Sequence, residues 1–276
     1  TVVNGSLSTM TTGDNITWTG TYTPTADVED TTNVLTLGTS WTDTAGNAYG
    51  GATVDTANFT IDTDTPSISA IATTAFSWGA YLNATEDNNN GTVSVTTTGV
   101  ENGQTVTITL NGQTYTNTTT SNATTVTIPA ADLQALNNGS SYTMTADVSD
   151  AAGNAADQVT SSSFSVDTTA PTVSSFAMND TALKSGDTAT VTIVFSEAVA
   201  NFSSADDVTV VNGSLSTMTT GDNITWTGTY TPTADVEDTT NVLTLGTSWT
   251  DTAGNAYGGA TVDTANFTID TDTPSI

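Results

Sequence analysis

Residues 188–195 read Thr-Ala-Thr-Val-Thr-Ile-Val-Phe, a segment in which apolar side chains alternate with side chains that are mostly hydroxylated. A period of two puts the two sets on opposite faces of an extended strand, so the segment predicts a strand that is buried on one face. Threonine suits the outer face, because its branched β-carbon stiffens the strand while its hydroxyl group stays in water.

The same alternation recurs along the chain, at residues 105–110, 142–148 and 224–230. A helical pattern is found only at residues 130–136, after Pro129, and it is long enough for about one or two turns. Short strands with turn signals about every 8–12 residues are typical of immunoglobulin-type sandwiches of about 100 residues. We therefore predict an all-β fold, made of tandem immunoglobulin-like antiparallel β-sandwiches in an extended array.

A letter-for-letter internal repeat indicates the domain organisation. Residues 1–68 (copy 1) recur unchanged as residues 209–276 (copy 2), and a period of 208 residues exceeds one ordinary domain. Prolines that follow Asp-Thr clusters mark the boundaries, at positions 66, 171 and 274. The predicted domains are residues 1–65 (type A, without its N-terminal third), residues 66–170 (type B) and residues 171–276 (type A, complete). We interpret the chain as a window on a longer array of alternating A and B domains.

Composition excludes several classes of function. The chain has no cysteine and no histidine, so it lacks thiolate metal ligands and the commonest general base. Lys184 is the single basic residue against 29 acidic ones, for a formal charge of −28. Nucleic acid and anionic membranes are recognised through Lys and Arg, so neither is expected as a partner, and direct membrane insertion is not expected either. We also predict that the protein is not an enzyme, because its paired carboxylates fall in turns and linkers rather than in an apolar cleft.

One motif, Asp-x-Ala-Gly-Asn, recurs at residues 43–47, 150–154 and 251–255. We predict a turn in which Asp accepts backbone hydrogen bonds, Gly supplies a positive φ and Asn tolerates the next strained position. Such a turn would hold its carboxylate near one end of a sandwich, beside a linker.

These turns, together with the Val-Asp-Thr-Thr-Ala-Pro linker at residues 166–171, resemble a known family. Further segments carry the resemblance, at residues 81–87, 102–106, 110–113, 183–188 and 194–199. The chain is similar to the bacterial Ig-like extender repeats of giant type I-secreted surface adhesins, of the repeats-in-toxin or biofilm-associated kind. The resemblance implies extracellular modules at the cell surface, joined end to end and often rigidified by calcium at their seams.

The linkers predict calcium independently of that resemblance. Asp62 and Asp64 point to the same side of an extended linker with Cα atoms about 6.5–7 Å apart, and Asp270 and Asp272 repeat the pair. Calcium prefers such carboxylate oxygens. Asp167 is alone in its linker and needs help from Asp150, Asp157 or a loop of the third domain.

Two further groups of acids complete the set. Glu86 and Asp87 resemble the start of a calcium loop, although we interpret residues 86–91 first as a polar turn, and the acids at 206–207 and 235–238 as exposed loops. The predicted metal ligands are Asp62, Asp64, Asp167, Asp270, Asp272, Asp43, Asp150, Asp251, Glu86 and Asp87.

The leading hypothesis is a structural extender, or stalk, of a bacterial cell-surface adhesin, with Ca²⁺ as a structural ion and neighbouring repeat domains as partners. A first alternative is a repeat subunit of a self-assembling extracellular filament or sheath, in which another chain completes residues 1–65. A second alternative is a glycan- or ice-binding module that uses the Thr-rich faces. Most of the five tryptophans are predicted to pack in the core.

Overall fold

The structure, a computed structural model, describes residues 1–274; the last two residues of the predicted third domain, 275–276, lie outside the described residues. The chain is almost entirely β-structure. The strands of residues 1–68 are β1 (Gly5–Leu7), β2 (Thr11–Thr12), β3 (Trp18–Thr19), β4 (Tyr22–Pro24), β5 (Glu29–Asn33), β6 (Thr36–Leu37), β7 (Val54–Asp55), β8 (Phe59–Asp62) and β9 (Ser67–Ile68).

The middle of the chain contains longer strands. They are β10 (Tyr81–Leu82), β11 (Gly91–Thr98), β12 (Thr105–Leu110), β13 (Gln113–Thr118), β14 (Ala123–Ile128), β15 (Ser141–Tyr142), β16 (Met144–Asp147), β17 (Val159–Thr160) and β18 (Phe164–Val166). A 3-10 turn lies at Thr73–Ala75 and helix α1 at Ala130–Leu133. The helix confirms the pattern predicted there, although it ends three residues early.

The last part of the chain continues in the same way. Its strands are β19 (Val173–Met178), β20 (Ala182–Lys184), β21 (Ala189–Phe195), β22 (Val199–Ala200), β23 (Val208–Thr209), β24 (Gly213–Leu215), β25 (Thr219–Thr220), β26 (Thr225–Pro232), β27 (Glu237–Asn241), β28 (Thr244–Leu245), β29 (Thr250–Asp251), β30 (Val262–Asp263) and β31 (Phe267–Asp270). Helix α2 spans Ser204–Asp207.

By contacts, the described residues form two compact units. Unit 1 comprises residues 1–75, 92–127 and 143–162, and unit 2 comprises residues 76–91, 128–142 and those from 163 onward. These units are defined by contacts between residues. They do not test the predicted domain boundaries, which stay predictions.

Unit 2 contains a two-layered core. One layer is the sheet β19-β21-β26-β24, and the other is formed by β20-β31-β27 with β23-β28-β30. The inward side chains of β21 are at most 1% exposed, as its alternating pattern predicts. They pack in one cluster with Tyr230, Leu245, Trp249 and Phe267, which come from both layers and from the loop before β29. The all-β sandwich fold predicted from the alternation is therefore confirmed.

Unit 1 contains the sheets β14-β11-β9 and β13-β12-β16-β17 together with the short sheets of copy 1.

The strand predicted over residues 142–148 is divided, because β15 pairs with β18 while β16 pairs with β12. The fold is also not purely antiparallel. β10 runs parallel to β18, and β20 runs parallel to β31.

Copy 1 and copy 2 fold differently although their sequences agree. The eight-residue strand β26 corresponds in copy 1 to the two short strands β3 and β4. In copy 2 the whole of β26 is supported by β21, which pairs with it from Ala189↔Tyr230 to Val194↔Thr225. In the described structure, no strand lies beside copy 1 in the position that β21 has beside copy 2. The backbone pairing that supports β26 therefore has no counterpart at β3 and β4. Among residues 1–274, no helix has the length and apolar character required to cross a membrane.

Candidate metal centre

The Asp-x-Ala-Gly-Asn turn at residues 251–255 is built around its own first side chain. Asp251 is 1% exposed. Its Oδ1 accepts the backbone N–H of Asn255 (2.8 Å), and its Oδ2 accepts the side-chain Nδ2 of Asn255 (2.8 Å). Gly254 has a φ of +93°, a left-handed conformation that costs glycine little. The predicted turn and the roles of its Asp and Gly are thus confirmed.

The role predicted for the turn asparagine is wrong. Several other asparagines, such as Asn212 at φ 49°, have left-handed backbones, but Asn47, Asn154 and Asn255 do not. At these positions the asparagine contributes its amide instead. In each turn Nδ2 donates to the turn's own aspartate, over 2.9 Å in the first turn and 2.8 Å in the other two.

The Asn255 side chain also joins three segments of unit 2. Its Nδ2 donates to the backbone carbonyl oxygen of Asp167 in the linker (2.8 Å), and its Oδ1 accepts the N–H of Ala84 (2.9 Å). Beside it, Asn83 Nδ2 donates to the carbonyl oxygen of Ala253 (3.0 Å). Asn255 is 4% exposed, so a bond lost here leaves a polar group without water to replace its partner. One hydrogen bond of Asn255 thereby holds the linker beside the turn.

This arrangement brings three carboxyl groups together. Asp167, Glu197 and Asp251 each offer an oxygen atom, and these oxygens lie within 4.8 Å of one another. Asp167 follows β18, Glu197 follows β21 and Asp251 ends β29, so three separate elements position the group. Within residues 1–274, no other group of three or more acidic, histidine or cysteine side chains is close enough to share an ion.

The electrostatics of the group are unfavourable without a cation. Partial burial raises the pKa of Glu197, and the negative charges of Asp167 and Asp251 raise it further. Each cause disfavours the ionised carboxylate, and a positive ion between the three groups would reverse the effect of charge. Asp167 and Glu197 also line an open cleft of about 400 Å³, so solvent and ions reach the group.

The donor set suits a hard divalent cation. Calcium binds oxygen at about 2.3–2.6 Å, so two oxygens on one ion lie at most about 5 Å apart, and the observed 4.8 Å falls within that limit. The chain has no cysteine or histidine that would favour a softer metal. Three carboxylates would provide part of a shell of six to eight oxygens, and carbonyl groups and water could complete it.

The first linker has a related geometry within unit 1. Asn154 Nδ2 donates to the carbonyl oxygen of Asp62 (3.2 Å) and to its Oδ1 (3.3 Å), as well as to Asp150. Glu101 follows β11, and its Oε2 accepts the backbone N–H of Ala151 (2.9 Å). The carboxylates at this linker are therefore engaged by N–H donors of the protein.

Asp150 illustrates the difference between the two linkers. Its burial acts to raise its pKa, but hydrogen bonds from the side chain and backbone of Asn154 and from the backbone of Gly153 outweigh the burial. The pKa of Asp150 is consequently held below its usual value, without any cation.

The structure brings two of the ten predicted ligands, Asp167 and Asp251, into the three-carboxyl group. Asp64, Asp270 and Asp272 are exposed. Asp43 is also exposed and bonds to its own turn, which lowers its pKa through the Asn47 side chain first and the Asn47 backbone second. These positions stay predictions as metal ligands.

Glu86 and Asp87 lie in a polar turn, which was the first of the two interpretations of residues 86–91. Glu86 Oε2 accepts the N–H of Asn83 (3.1 Å), and the N–H of Asp87 donates to the Asn83 carbonyl oxygen (3.0 Å). Partial burial raises the pKa of both carboxyl groups.

Glu197 was missed by the sequence reasoning. A signal for it exists, since a glutamate follows a central strand in each of the last two predicted domains, at Glu101 after β11 and at Glu197 after β21. Of the acids expected in an exposed loop at residues 206–207, Asp206 is exposed although it lies in helix α2, and the expectation is wrong for Asp207. Asp207 is 4% exposed, and its carboxylate accepts the N–H of Ser203 (2.8 Å) and the hydroxyl of Ser248 (2.5 Å).

Comparison with known proteins gives one family. The family model described as bacterial Ig-like domain matches residues 1–61 and 167–269, which is more than half of the chain. No curated protein matches the chain.

Similar solved structures include three from adhesins. A Ca²⁺-stabilized adhesin that helps an Antarctic bacterium reach out and bind ice is 25% identical, with 85% of this chain and 56% of that chain covered and a TM-score of 0.42. A 1.5-MDa bacterial ice-binding adhesin is 24% identical over 84% of this chain and 72% of that chain, with a TM-score of 0.42. A bacterial immunoglobulin-like domain of the M. primoryensis ice-binding adhesin is 33% identical over 37% of this chain and 96% of that chain, with a TM-score of 0.27.

Proposed function

This chain belongs to the family of bacterial Ig-like domains, and from that premise we propose that it is a structural extender segment of a bacterial cell-surface adhesin. Its role is extracellular and non-catalytic, and its partners are the neighbouring repeat domains of the same chain. A letter-for-letter repeat of 68 residues supports this role, because copied modules add length and stiffness whereas a copied catalytic centre adds little.

The proposed role includes a structural Ca²⁺ ion at the linker of residues 167–171. The observation that carries it is the group of Asp167, Glu197 and Asp251, whose oxygens lie within 4.8 Å. An ion there would join the linker to two loops of the third predicted domain. The hydrogen bonds of Asn255 already place the linker beside the turn, so the ion has to restrict only the motion that remains.

Calcium binding to the whole chain, followed by isothermal titration calorimetry, tests this role. We expect saturable binding in the wild type and a loss of the tightest site in Glu197→Gln, because the variant keeps the shape of the side chain but removes one charged ligand. Asp206→Asn is the matched control, since it removes the charge of an exposed acid of α2 in the same unit.

Thermal unfolding provides the second readout. Calcium should raise the melting temperature of the wild type and of Asp206→Asn, and should have a smaller effect on Glu197→Gln. Equal calcium responses in all three proteins would exclude this group as the site, and no response in any of them would exclude calcium as the ion.

A further inference from the structure

Strand β13 is an unprotected edge of the sheet β13-β12-β16-β17 in unit 1. Its sequence, residues 113–118, reads Gln-Thr-Tyr-Thr-Asn-Thr and contains no charge, proline or glycine. It pairs with β12 over six positions without a bulge, and five of its six residues are exposed. Edge strands usually avoid pairing with other chains by means of charge, proline, a bulge or short length. β13 has none of these protections.

The pairing with β12 determines which backbone groups of β13 point outward. The two-residue turn at 111–112 has φ values of 49° and 79°, so the residues that flank it form a hydrogen-bonded pair. At the far end, the N–H of Thr119 donates to the carbonyl oxygen of Gln104 (2.8 Å), which fits the same alternation. The N–H and C=O groups of Thr114 and Thr116 therefore point away from β12, where no strand pairs with them in the described structure.

β13 is also held in position before any partner binds. Asn117 Nδ2 donates to the carbonyl oxygen of Thr125 in β14 (2.8 Å), and Asn117 Oδ1 accepts the N–H of Thr118 (2.9 Å). The outward N–H of Thr118 is thereby already satisfied, and those that remain free belong to Thr114 and Thr116. A strand that is already ordered loses little conformational entropy when another strand is added to its edge.

Charge indicates which partner the edge accepts. Residues 102–131 contain no acidic or basic side chain and form the longest uncharged stretch of a chain whose formal charge is −28. Two copies of the chain repel each other wherever their acidic groups face, so the neutral hairpin of β12 and β13 is a place where they can approach. A partner selected by electrostatic complementarity would be basic and would bind an acidic surface instead.

We propose that β13 is a dimerisation strand, which pairs antiparallel with β13 of a second copy of the chain about a two-fold axis at Tyr115. In this register Thr114 of each copy pairs with Thr116 of the other, so the four free N–H groups all donate to backbone carbonyl oxygens. The two Tyr115 side chains lie opposite each other as an aromatic cross-strand pair. The inference goes beyond the proposed extender function and does not depend on calcium.

Sedimentation of the whole chain in chelator, over a series of protein and salt concentrations, measures the association. Two six-residue strands bury little area, so we expect a weak, concentration-dependent dimer. Added salt should strengthen the dimer, because salt screens the repulsion between two acidic chains. A protein that stays monomeric at the highest protein and salt concentrations would overturn the proposal.

Thr116→Pro tests the backbone bonds between the two copies. Proline removes an N–H that points outward, so the pairing with β12 keeps its hydrogen bonds and the strand should stay folded. The dimer loses two of its four backbone bonds, and its dissociation constant should rise about 10-fold or more. Association that persists unchanged in this variant would show that another surface carries it, which would also overturn the proposal.

Paired charges at the same positions test the register. Thr114→Lys with Thr116→Lys places like charges opposite each other across the axis, and the corresponding double substitution to Asp does the same with acids. Each double variant alone should be monomeric, and an equimolar mixture of the two should associate, since opposite charges then face each other. A mixture that stays monomeric would contradict this register.

The matched control for the double Lys variant is Ser94→Lys with Thr96→Lys. It changes the net charge equally, at exposed positions of β11, a strand that is paired on both sides. The control should dimerise as the wild type does. A control that is as monomeric as the Lys variant of β13 would show that net charge, rather than the edge, decides the association.

Disulfide trapping reports directly on the axis, because the chain has no cysteine of its own. Facing residues of a non-hydrogen-bonded antiparallel pair have Cα atoms about 4.5 Å apart, a separation that a disulfide spans. Under mild oxidation, Tyr115→Cys should form a covalent dimer faster than Ser94→Cys, its control on an exposed sheet face. Equal rates for the two variants would exclude the two-fold pairing.

Discussion

Leu37 and Leu245 are equivalent positions in the two copies of the repeated sequence, but they lie in two different environments. Leu245 is fully buried in the core of unit 2, in register with Val208 of β23, while Leu37 is 56% exposed. Intrinsic strand preference is the same at both positions. The difference in burial therefore comes from the presence or absence of segment 171–208.

This pair predicts opposite outcomes for the same substitution. Leu245→Asp buries an unpaired charge and creates a cavity, so it should lower the free energy of unfolding of its unit by about 3–5 kcal/mol. Leu37→Asp should change it by no more than about 0.5 kcal/mol, as is usual for exposed sites. Chemical denaturation of both variants measures the difference. Similar losses at the two sites would mean that copy 1 is packed as copy 2 is.

Glu197 gives a prediction whose sign depends on calcium. Its pKa is raised above 4.5 by burial and by two neighbouring carboxylates, so its favourable contribution to folding is present below pH 4.5 and is lost as the pH rises through the raised value. In chelator at pH 7, Glu197→Gln should therefore raise the melting temperature. In saturating calcium it should lower it. A change of the melting temperature in the same direction in chelator and in calcium would contradict an ion at this group.

At the scale of elements, the turn at residues 251–255 acts as a connector. Its aspartate and glycine form a turn that the sequence alone predicts, because both roles are local. The contacts of Asn255 to Asp167 and Ala84 are distant in sequence and could not be read from the motif. The same holds for β26, whose eight residues are one strand only where β21 lies beside them.

Substitution of the turn asparagines tests whether the contacts of Asn255 to the linker contribute to stability. Asn255→Ala should cost about 1–3 kcal/mol of unfolding free energy in the calcium-free chain, since it leaves buried partners unsatisfied. Asn47→Ala is the matched control: Asn47 is exposed and its amide bonds only to Asp43 among the described contacts, so the cost should be smaller. Denaturant titration compares the two. Equal costs would show that the bonds to the linker add nothing.

At the scale of the whole molecule, the alternating strands were sufficient to predict the all-β sandwich fold, and the recurrent turns and the linker at residues 166–171 were sufficient to indicate the family. The acid group was predicted only in part. Asp167 and Asp251 were identified because they lie in a linker and a recurrent turn. Glu197 was not, because its proximity to Asp251 arises from the pairing of β22 with β29, in which Val199 is the register partner of Asp251.

Small-angle X-ray scattering of the whole chain, in calcium and in chelator, measures whether an ion orders the linker at residues 167–171. A calcium ion that joins the linker at Asp167 to Glu197 and Asp251 restricts motion of the linker, so calcium should increase the maximum dimension and sharpen the distance distribution of the wild type. The same addition should leave Glu197→Gln largely unchanged. Superimposable wild-type curves in calcium and in chelator would contradict a structural calcium ion at this linker.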